Sequence, residues 1–464
     1  MKRTCVLLWG VVWLAAAVGA GHDRPTNLRP AADEPGDDLV QMIVGLLSDK
    51  DREMRAVGLQ QVREAAKGPA ATKQFAALLP KLAPEAQAGL LDALGDRGDK
   101  AARPALLEML KSREEQVRAA ALRALGALGD ADDVPLLAQS LAAAAGPEKT
   151  AARASLTRLR GQAVNAAILA ELKRAKPAIR AELLGVLPAR GATDSVPVLL
   201  EAAQDADAGV RLAALGALRV LAATDLRSVP GRTAAIVKLL KAAKEGPEQS
   251  RAEQALLAVA TRGREACVEA ILAGMVGADP SATVSLLRAL GKAGGRRALE
   301  RIVAATKDER PAVRAEAVRL LASWPEASAA PHLLAIARQA EPIGQQAVAV
   351  QGLVRLASPL KDRPADVALL GEAMKLARRP EEKRMVLGVL GGLATPEALA
   401  LVVPAMDDPA LTDEACLAAV LIVEKSAGLD QDRRRTALQQ ALAKAKEPEI
   451  RQRAEKALES LGPP

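Results

Sequence analysis

The chain has very few aromatic, histidine or cysteine residues. Its 464 residues include no Tyr, one Phe, three Trp, two His and three Cys. Trp9 and Trp13 lie near the N-terminus, so Phe75 and Trp324 are the only aromatic residues of the remainder. So little histidine and tyrosine leaves little material for acid–base or metal chemistry. The composition argues against an α/β enzyme or a β-sandwich, which build cores and pockets from aromatic and β-branched residues.

What the chain does contain is alanine, leucine and charge. Apolar residues make up 50% and charged residues 26% of the sequence, which excludes a disordered chain. At about 150 residues per domain, the length alone would suggest roughly three globular domains. A core made of Ala and Leu is typical of helices that pack closely through small side chains.

The N-terminal segment at residues 1–20 has the features of a secretory signal peptide. Lys2 and Arg3 precede an apolar run at residues 6–18, and the small residues 18–20 end before a cleavage point at Gly21. The run is shorter than the roughly 20 residues that a membrane span needs. We predict cleavage near Ala20, and the alternative is that the segment stays uncleaved as an anchor.

Residues 21–37 are predicted to form a flexible linker. They contain Pro25, Pro30 and Pro35 and show no hydrophobic periodicity. No later apolar stretch reaches spanning length. We therefore expect a periplasmic or extracellular protein without stable membrane insertion after signal cleavage.

The net charge gives no sign of a nucleic-acid partner. It is +8, and removal of Lys2 and Arg3 reduces it to +6. The basic clusters lie among acidic neighbours without interleaved aromatic residues, which favours solvated helix faces over a nucleic-acid groove. These clusters are Arg296-Arg297, Arg378-Arg379 and Arg433-Arg434-Arg435.

An internal repeat of 31 residues runs through most of the chain. The segment 117–126 reads VRAAALRALG, and similar segments surround Arg180, Arg211 and Arg314. Arg180 and Arg211 are 31 residues apart, and Arg118 precedes Arg180 by twice that distance. A fixed period of this length is typical of helical solenoids.

Two proline series show that each repeat holds two helices. Proline is favoured in the first turn of a helix, where its missing N–H costs nothing. One series is Pro104, Pro135, Pro197 and Pro331; the other is Pro84, Pro147, Pro177, Pro280, Pro311, Pro342, Pro380 and Pro448. We predict second helices around positions 55, 87, 118, 150, 180, 211, 251, 283, 314, 345, 383, 414 and 451. The wider spacings are attributed to turn insertions at 224–232, 358–364 and 428–434.

The pattern Val-Arg-x-x-Ala-x-x-x-Leu-Gly at 117–126 resembles HEAT repeats, and most of all the short bacterial kind also found in phycobilisome lyases. The resemblance covers residues 38 to about 461 and, with the thirteen second-helix positions counted above, implies an all-α solenoid of about thirteen helix pairs over 38–464. Tetratricopeptide repeats are the alternative, but their 34-residue period and aromatic positions are missing. A repeat fold of this kind does not by itself specify a function.

Two details of the repeat leave alternatives open. The glycine after leucine at 95, 126, 291 and 391 is either a helix end or a point of close packing. The repeated arginine either stacks against acidic residues of the preceding turn or simply faces solvent. The acidic residues in question are Asp205 and Asp207 before Arg211, and Asp308 before Arg314.

No candidate catalytic, cofactor-binding or metal-binding residue emerges. His332 follows a proline at a helix start and is interpreted as a packed residue, and His22 lies in the linker. Cys267 and Cys416 are about five repeats apart, or about 45 Å at about 9 Å per helix layer. A disulfide needs Cα atoms within about 7 Å, so both are predicted to be buried free thiols.

We therefore predict an exported, non-catalytic scaffold that binds a protein or peptide on the concave face of the solenoid. The alternative is an accessory or lyase-type protein that handles a chromophore or assists an enzyme complex, as the phycobilisome-lyase resemblance implies. The lack of aromatic side chains for a chromophore argues against that alternative.

Overall fold

The protein folds into helices throughout the region that its computed structural model describes. The described residues are 37–339, 343–359, 364–426 and 428–462. They contain α-helices and short 3-10 turns and no β-strand. The predicted signal peptide at 1–20 lies outside them, as does the linker up to residue 36.

Twenty-six α-helices in this region alternate as thirteen pairs, which confirms the all-α solenoid prediction. The first helices are α1 (Asp37–Leu47), α3 (Pro69–Ala76), α5 (Arg103–Met109), α7 (Val134–Ala143), α9 (Ala163–Arg174), α11 (Val196–Ala202), α13 (Val229–Ala242), α15 (Val268–Gly274), α17 (Arg296–Ala305), α19 (Ala330–Arg338), α21 (Val367–Leu376), α23 (Pro396–Val402) and α25 (Gln431–Lys444).

Each second helix contains one of the positions predicted from the repeat. The second helices are α2 (Arg52–Glu64), α4 (Pro84–Arg97), α6 (Glu115–Leu128), α8 (Gly146–Arg158), α10 (Pro177–Val186), α12 (Ala208–Leu221), α14 (Pro247–Gly263), α16 (Pro280–Ala293), α18 (Pro311–Ala322), α20 (Ile343–Ala357), α22 (Pro380–Leu390), α24 (Thr412–Lys425) and α26 (Pro448–Ser460).

Proline sets where the helices begin. Pro84, Pro177 and Pro280 are the first residues of their second helices. In the first helices the proline is the second residue, as Pro104 and Pro135 show, and a 3-10 turn precedes it. The pyrrolidine ring fixes φ near the helical value, and proline has no N–H to continue a preceding helix. Each proline therefore defines the residue at which a helix begins. Pro342 lies outside the described residues.

The predicted turn insertions at 224–232 and 428–434 are wrong in part. Val229–Arg232 form the first turn of α13, and Gln431–Arg434 form the first turn of α25. Both helices have 14 residues, whereas the first helices α5 and α11 have 7. The additional residues therefore lengthen helices, where their backbone groups are satisfied, and do not extend the turns. Part of the third predicted insertion, 360–363, lies outside the described residues.

The core continues from one repeat into the next, as α6 shows. Val117, Ala120 and Ala124 of α6 pack with the preceding repeats, while Leu122 and Leu125 pack with the following ones. Both sides of the helix are buried because a repeat can cover its apolar surface only against two neighbours. Leucines at one repeat position of the first helices are fully buried: Leu106, Leu137, Leu199 and Leu333.

Second helices form the tighter side of the stack. Most consecutive second helices, such as α4, α6 and α8, contact one another extensively, with α8 and α10 as an exception, whereas consecutive first helices touch little in most repeats. In a curved stack, helices on the inner side are closer together than those on the outer side. The second helices therefore line the inner side, and their solvent-exposed surface is called the inner face below.

Glycine allows this close approach. Gly95, Gly126 and Gly291 lie inside α4, α6 and α16, so the helix-end reading is wrong for these three positions. A Cβ atom at Gly126 would lie 2.6 Å from the Cα of Ser155 on the next second helix. Gly391 combines both roles, since it follows the end of α22 and a Cβ there would lie 3.1 Å from the Cα of Ala418.

Leu137→Ala should loosen the solenoid only locally. Truncating a buried leucine typically costs about 2–5 kcal/mol through lost transfer free energy and cavity formation. Because each repeat contacts only its neighbours, hydrogen exchange should accelerate within residues 100–170 and remain unchanged near residue 400. An equal loss of protection from end to end would show that the chain is one cooperative globule.

Candidate functional site

The repeated arginine of the second helix joins the two helices of its own repeat. The guanidinium Nη1 of Arg118 donates to the carbonyl oxygens of Ser112 and Arg113 at 2.9 and 3.0 Å. Arg211 makes the same pair of bonds to the carbonyls of Asp205 and Ala206, both at 2.8 Å. Arg55 and Arg314 repeat the arrangement.

One of the two alternatives from the sequence, contact with the preceding turn, is therefore correct in location. The partners of this arginine are main-chain carbonyl groups, however, and not the carboxylates that were expected. Its partners in the turn are main-chain carbonyls of Asp205 and Asp308, and the Asp308 carboxylate binds Arg310 instead. That bond is the main reason why the pKa of Asp308 falls to about 2. Carbonyl groups at the end of a first helix lack intrahelical donors, so an arginine there satisfies them.

The remaining nitrogens of this arginine reach the next repeat. Arg118 binds Glu148 of α8 with an Nη2 to Oε2 distance of 2.8 Å, and Arg211 binds Glu248 of α14. Hydrogen bonding to these carboxylates raises the pKa of both arginines above the ordinary value. One side chain thus connects the first and second helices of its repeat with the following second helix.

A second set of arginines, missed in the sequence, caps the preceding second helix. Nη1 of Arg97 lies 2.8 Å from the carbonyl oxygens of Val62 and Ala65, at the end of α2. Nη1 of Arg190 lies 2.6 Å from the carbonyl of Leu156 and 3.0 Å from that of Leu159, at the end of α8.

Arg355 does the same at the end of α18, where its Nε lies 2.8 Å from the Ala322 carbonyl oxygen. These guanidinium groups meet the negative end of the helix dipole and supply donors to its free carbonyls. Burial lowers the pKa of Arg97 and Arg190 from the ordinary value. A usable sequence signal exists: each arginine follows a fully buried leucine (Leu94, Leu187 or Leu353) by two or three residues.

Arg190→Met should destabilise the contact between α8 and α10. The carbonyls of Leu156, Thr157 and Leu159 would lose their donor, at a cost of about 1–3 kcal/mol. Arg190→Lys should restore only part of the loss, because an ammonium cannot reproduce the planar fork. Arg158→Met, at an exposed position, is the control and should change the unfolding free energy by less than about 0.5 kcal/mol. Equal effects of the Arg190 and Arg158 changes in chemical unfolding would contradict the capping role.

The inner face is covered by ion pairs between repeats. Asp92 and Arg123 are 31 residues apart, occupy the same position of their repeats and bind each other at 2.8 Å. Arg288, at the equivalent position of a later repeat, bridges Glu253 at 3.0 Å and Glu316 at 2.9 Å. Charges on this part of the surface are therefore largely used within the protein.

The fourth, fifth and sixth repeats interrupt this pattern, with Ala154 in the fourth and glycine in the next two. Gly185 and Gly216 occupy the position at which Asp92, Arg123 and Arg288 carry charged side chains. Between α10, α12 and α14 the absent side chains leave a groove of about 620 Å³. The residues that give the groove its chemistry are Pro188, Arg219, Val220, Ser250, Arg251 and Gln254.

The groove is positively charged because its two arginines lack acidic partners. Within the described part of the chain, no carboxylate lies within 4.0 Å of Arg219 or Arg251, and both side chains are exposed. Carboxylates on the same three helices are paired elsewhere: Glu182 with Arg153, Glu248 with Arg211 and Glu253 with Arg288. Val220, 43% exposed, adds an apolar wall.

The polar residues singled out in the sequence lie apart from this groove. His332 is half-buried in α19, and Cys267 and Cys416 are buried free thiols, as predicted. Burial raises the pKa of Cys267 and is the main cause that raises that of Cys416 to about 11. The described residues hold no group of three or more potential metal ligands, and none of their helices is long and apolar enough to cross a membrane.

At least one arginine of each basic cluster pairs with an acidic residue. Arg296 binds Glu300 on its own helix at 2.8 Å, and Arg297 binds Glu269 of the preceding first helix. Arg379 and Glu382 are 3.3 Å apart, and Arg433 and Asp430 are 3.1 Å apart. Arg435 instead donates to the main-chain carbonyl of Gly462, 2.7 Å away.

Comparison with known proteins agrees with this architecture. A family model for HEAT repeats matches residues 72–157 and 268–354. The comparison with curated protein sequences gives no match. The matched segments show that the chain contains HEAT repeats, and the helix pairs around them share the same fold.

Solved structures of a karyopherin share the fold at low sequence identity. Kap121p bound to the extreme C-terminus of the protein phosphatase Cdc14p superposes with a TM-score of 0.55 at 13% identity, over 93% of this chain and 54% of that one. Kap121p bound to the SUMO protease Ulp1p gives 0.54 at 13% identity, over 92% and 54%. The chain spans about half the length of these structures, and the likeness concerns the fold alone.

Proposed function

We propose that this protein is an exported, non-catalytic scaffold that binds a protein partner on its inner face. The observation that carries the proposal is the long series of stacked second helices in the described part of the chain, together with the open, positively charged groove between α10, α12 and α14. Thirteen stacked pairs present a surface far longer than a small molecule requires. Extended surfaces of this kind are what repeat proteins use for recognition. The protein partners in the Kap121p structures show that a fold of this kind accommodates such binding.

Export is proposed from the sequence of the first 20 residues. A basic start, a short apolar run and small residues before Gly21 are the features that the secretory machinery reads. The mature chain would then begin near Gly21 and work outside the cytoplasm. A protein partner is therefore expected among exported or surface proteins.

Site-specific cross-linking of the tagged chain in its native cells tests the proposal. A photo-reactive residue at Ala154 would lie on the inner face, at the repeat position of Arg123 and Gly185. The matched control is Ala166, an exposed alanine of the first helix α9. We expect chain recovered from the exported fraction to begin near Gly21 and to carry a cross-linked protein from Ala154 but not from Ala166.

Two outcomes would contradict the proposal. Chain that starts at Met1 and stays in the cytosol would refute export. Cross-links formed only from the first-helix position, or from neither position, would refute binding through the inner face.

A further inference from the structure

The groove between α10, α12 and α14 is chemically different from the rest of the inner face. At Asp92, Arg123 and Arg288 the equivalent repeat position carries a charge that pairs with a neighbouring repeat. At Gly185 no atom lies within 4 Å of the place where a Cβ would be, so the surface there is open. The guanidinium of Arg251 lies over Gly216, with Nη1 2.9 Å from the position of a Cβ.

The charge of the groove selects an anionic ligand. Arg219 and Arg251 both line it and have no carboxylate partner in the described ranges, while the acids around them are already paired. A guanidinium presents donors in a planar fork that matches a carboxylate in two parallel hydrogen bonds. A partner with carboxylate side chains supplies the ion pairs that neighbouring repeats provide at other positions of the inner face.

The walls of the groove favour a peptide over a small inorganic anion. Val220 and Pro188 offer apolar contact beside the arginines, and Ser250 and Gln254 offer neutral hydrogen bonds. A volume of about 620 Å³ accommodates several side chains, whereas a single carboxylate or phosphate would leave most of the groove empty. The groove is also open along the stacking direction of the helices, since it is shared by three consecutive second helices.

We propose that this groove binds an acidic peptide segment, in which carboxylate side chains alternate with apolar ones, as part of a protein partner. The arginines hold the carboxylates, and Val220 with Pro188 holds an apolar side chain between them. This assignment rests on the proposed scaffold function and specifies the chemistry of its partner.

A labelled peptide tests the assignment directly. The probe is a six-residue peptide of alternating glutamate and leucine, compared with one in which glutamine replaces every glutamate. Binding to the purified chain is followed by fluorescence anisotropy. We expect saturable binding of the acidic peptide, weakened by added salt, and binding of the glutamine peptide that is about tenfold weaker, since two partly exposed ion pairs are lost.

Matched variants locate the binding. The double variant Arg219→Gln/Arg251→Gln should lose about tenfold in affinity for the acidic peptide. Arg158→Gln/Arg227→Gln removes the same charge from exposed positions outside the groove and should bind like the parent. Gly185→Gln fills the groove with a helix-favouring side chain where no atom lies within 4 Å, so it should keep the fold and weaken binding.

Several results would overturn the assignment. These are no saturable binding below about 1 mM peptide, equal affinity for the glutamate and glutamine peptides, or equal losses in the groove and control variants. Binding of a sulfated polysaccharide such as heparin in place of the acidic peptide would also overturn it. Retention of the Ala154 cross-linked partner by the Arg219→Gln/Arg251→Gln variant would reject the groove and leave the scaffold function intact.

Discussion

The close approach of consecutive second helices is the constraint on which this structure depends. At Gly95 and Gly126 the helices come so near that a single Cβ would meet the Cα of the following second helix at 2.9 or 2.6 Å. Gly352 makes the equivalent contact with Ala322 on the preceding second helix. Small residues at these points allow the inner rows to pack tightly, while the first helices spread apart on the outer side. The composition of the chain, rich in alanine and poor in aromatics, is the sequence counterpart of this geometry.

Tight stacking has an electrostatic consequence. In every repeat two helices end close to the adjacent repeats. The carbonyl groups at these helix ends lack intrahelical donors and have limited access to water. Arginines such as Arg118 and Arg190 bind these carbonyls, and Arg118 uses its other nitrogens for Glu148 of the next repeat. Most charges on the inner face are thereby engaged within the protein. The groove at Gly185 and Gly216 differs from that background, because its two arginines have no carboxylate partner among the described residues.

Much of the fold could be predicted because prolines at regular spacing mark where the helices of each repeat begin. The 31-residue period and the prolines at helix starts gave all thirteen second helices, since proline fixes φ and cannot be accommodated in a helix interior. The lengths of α13 and α25 could not be predicted, because spacing alone does not tell whether additional residues join a helix or a turn. The atoms bound by Arg211 were also beyond the sequence, since a carbonyl and the carboxylate of the same Asp205 are equally near in the chain.

The sequence contains a signal for the groove, but the repeats must be aligned in the correct register before it can be recognised. Asp92, Arg123, Ala154, Gly185 and Gly216 all fall on one 31-residue series, so the loss of charged side chains after Arg123 could have been noticed. Whether Arg219 and Arg251 are neutralised depends on which acids reach them across neighbouring helices. That depends on helix rotation and spacing, which the repeat pattern does not encode.

Gly126→Ala, compared with Gly388→Ala, is the most direct test of the central constraint. A methyl group at Gly126 must displace the backbone at Ser155, and we expect a loss of about 1–3 kcal/mol from overpacking, with faster hydrogen exchange in α6 and α8 only. At Gly388, also within a second helix, no atom lies within 4 Å, so alanine should stabilise α22 by about 0.5–1 kcal/mol. If both alanines had the same effect on stability, close backbone packing between second helices would not be what holds the solenoid together.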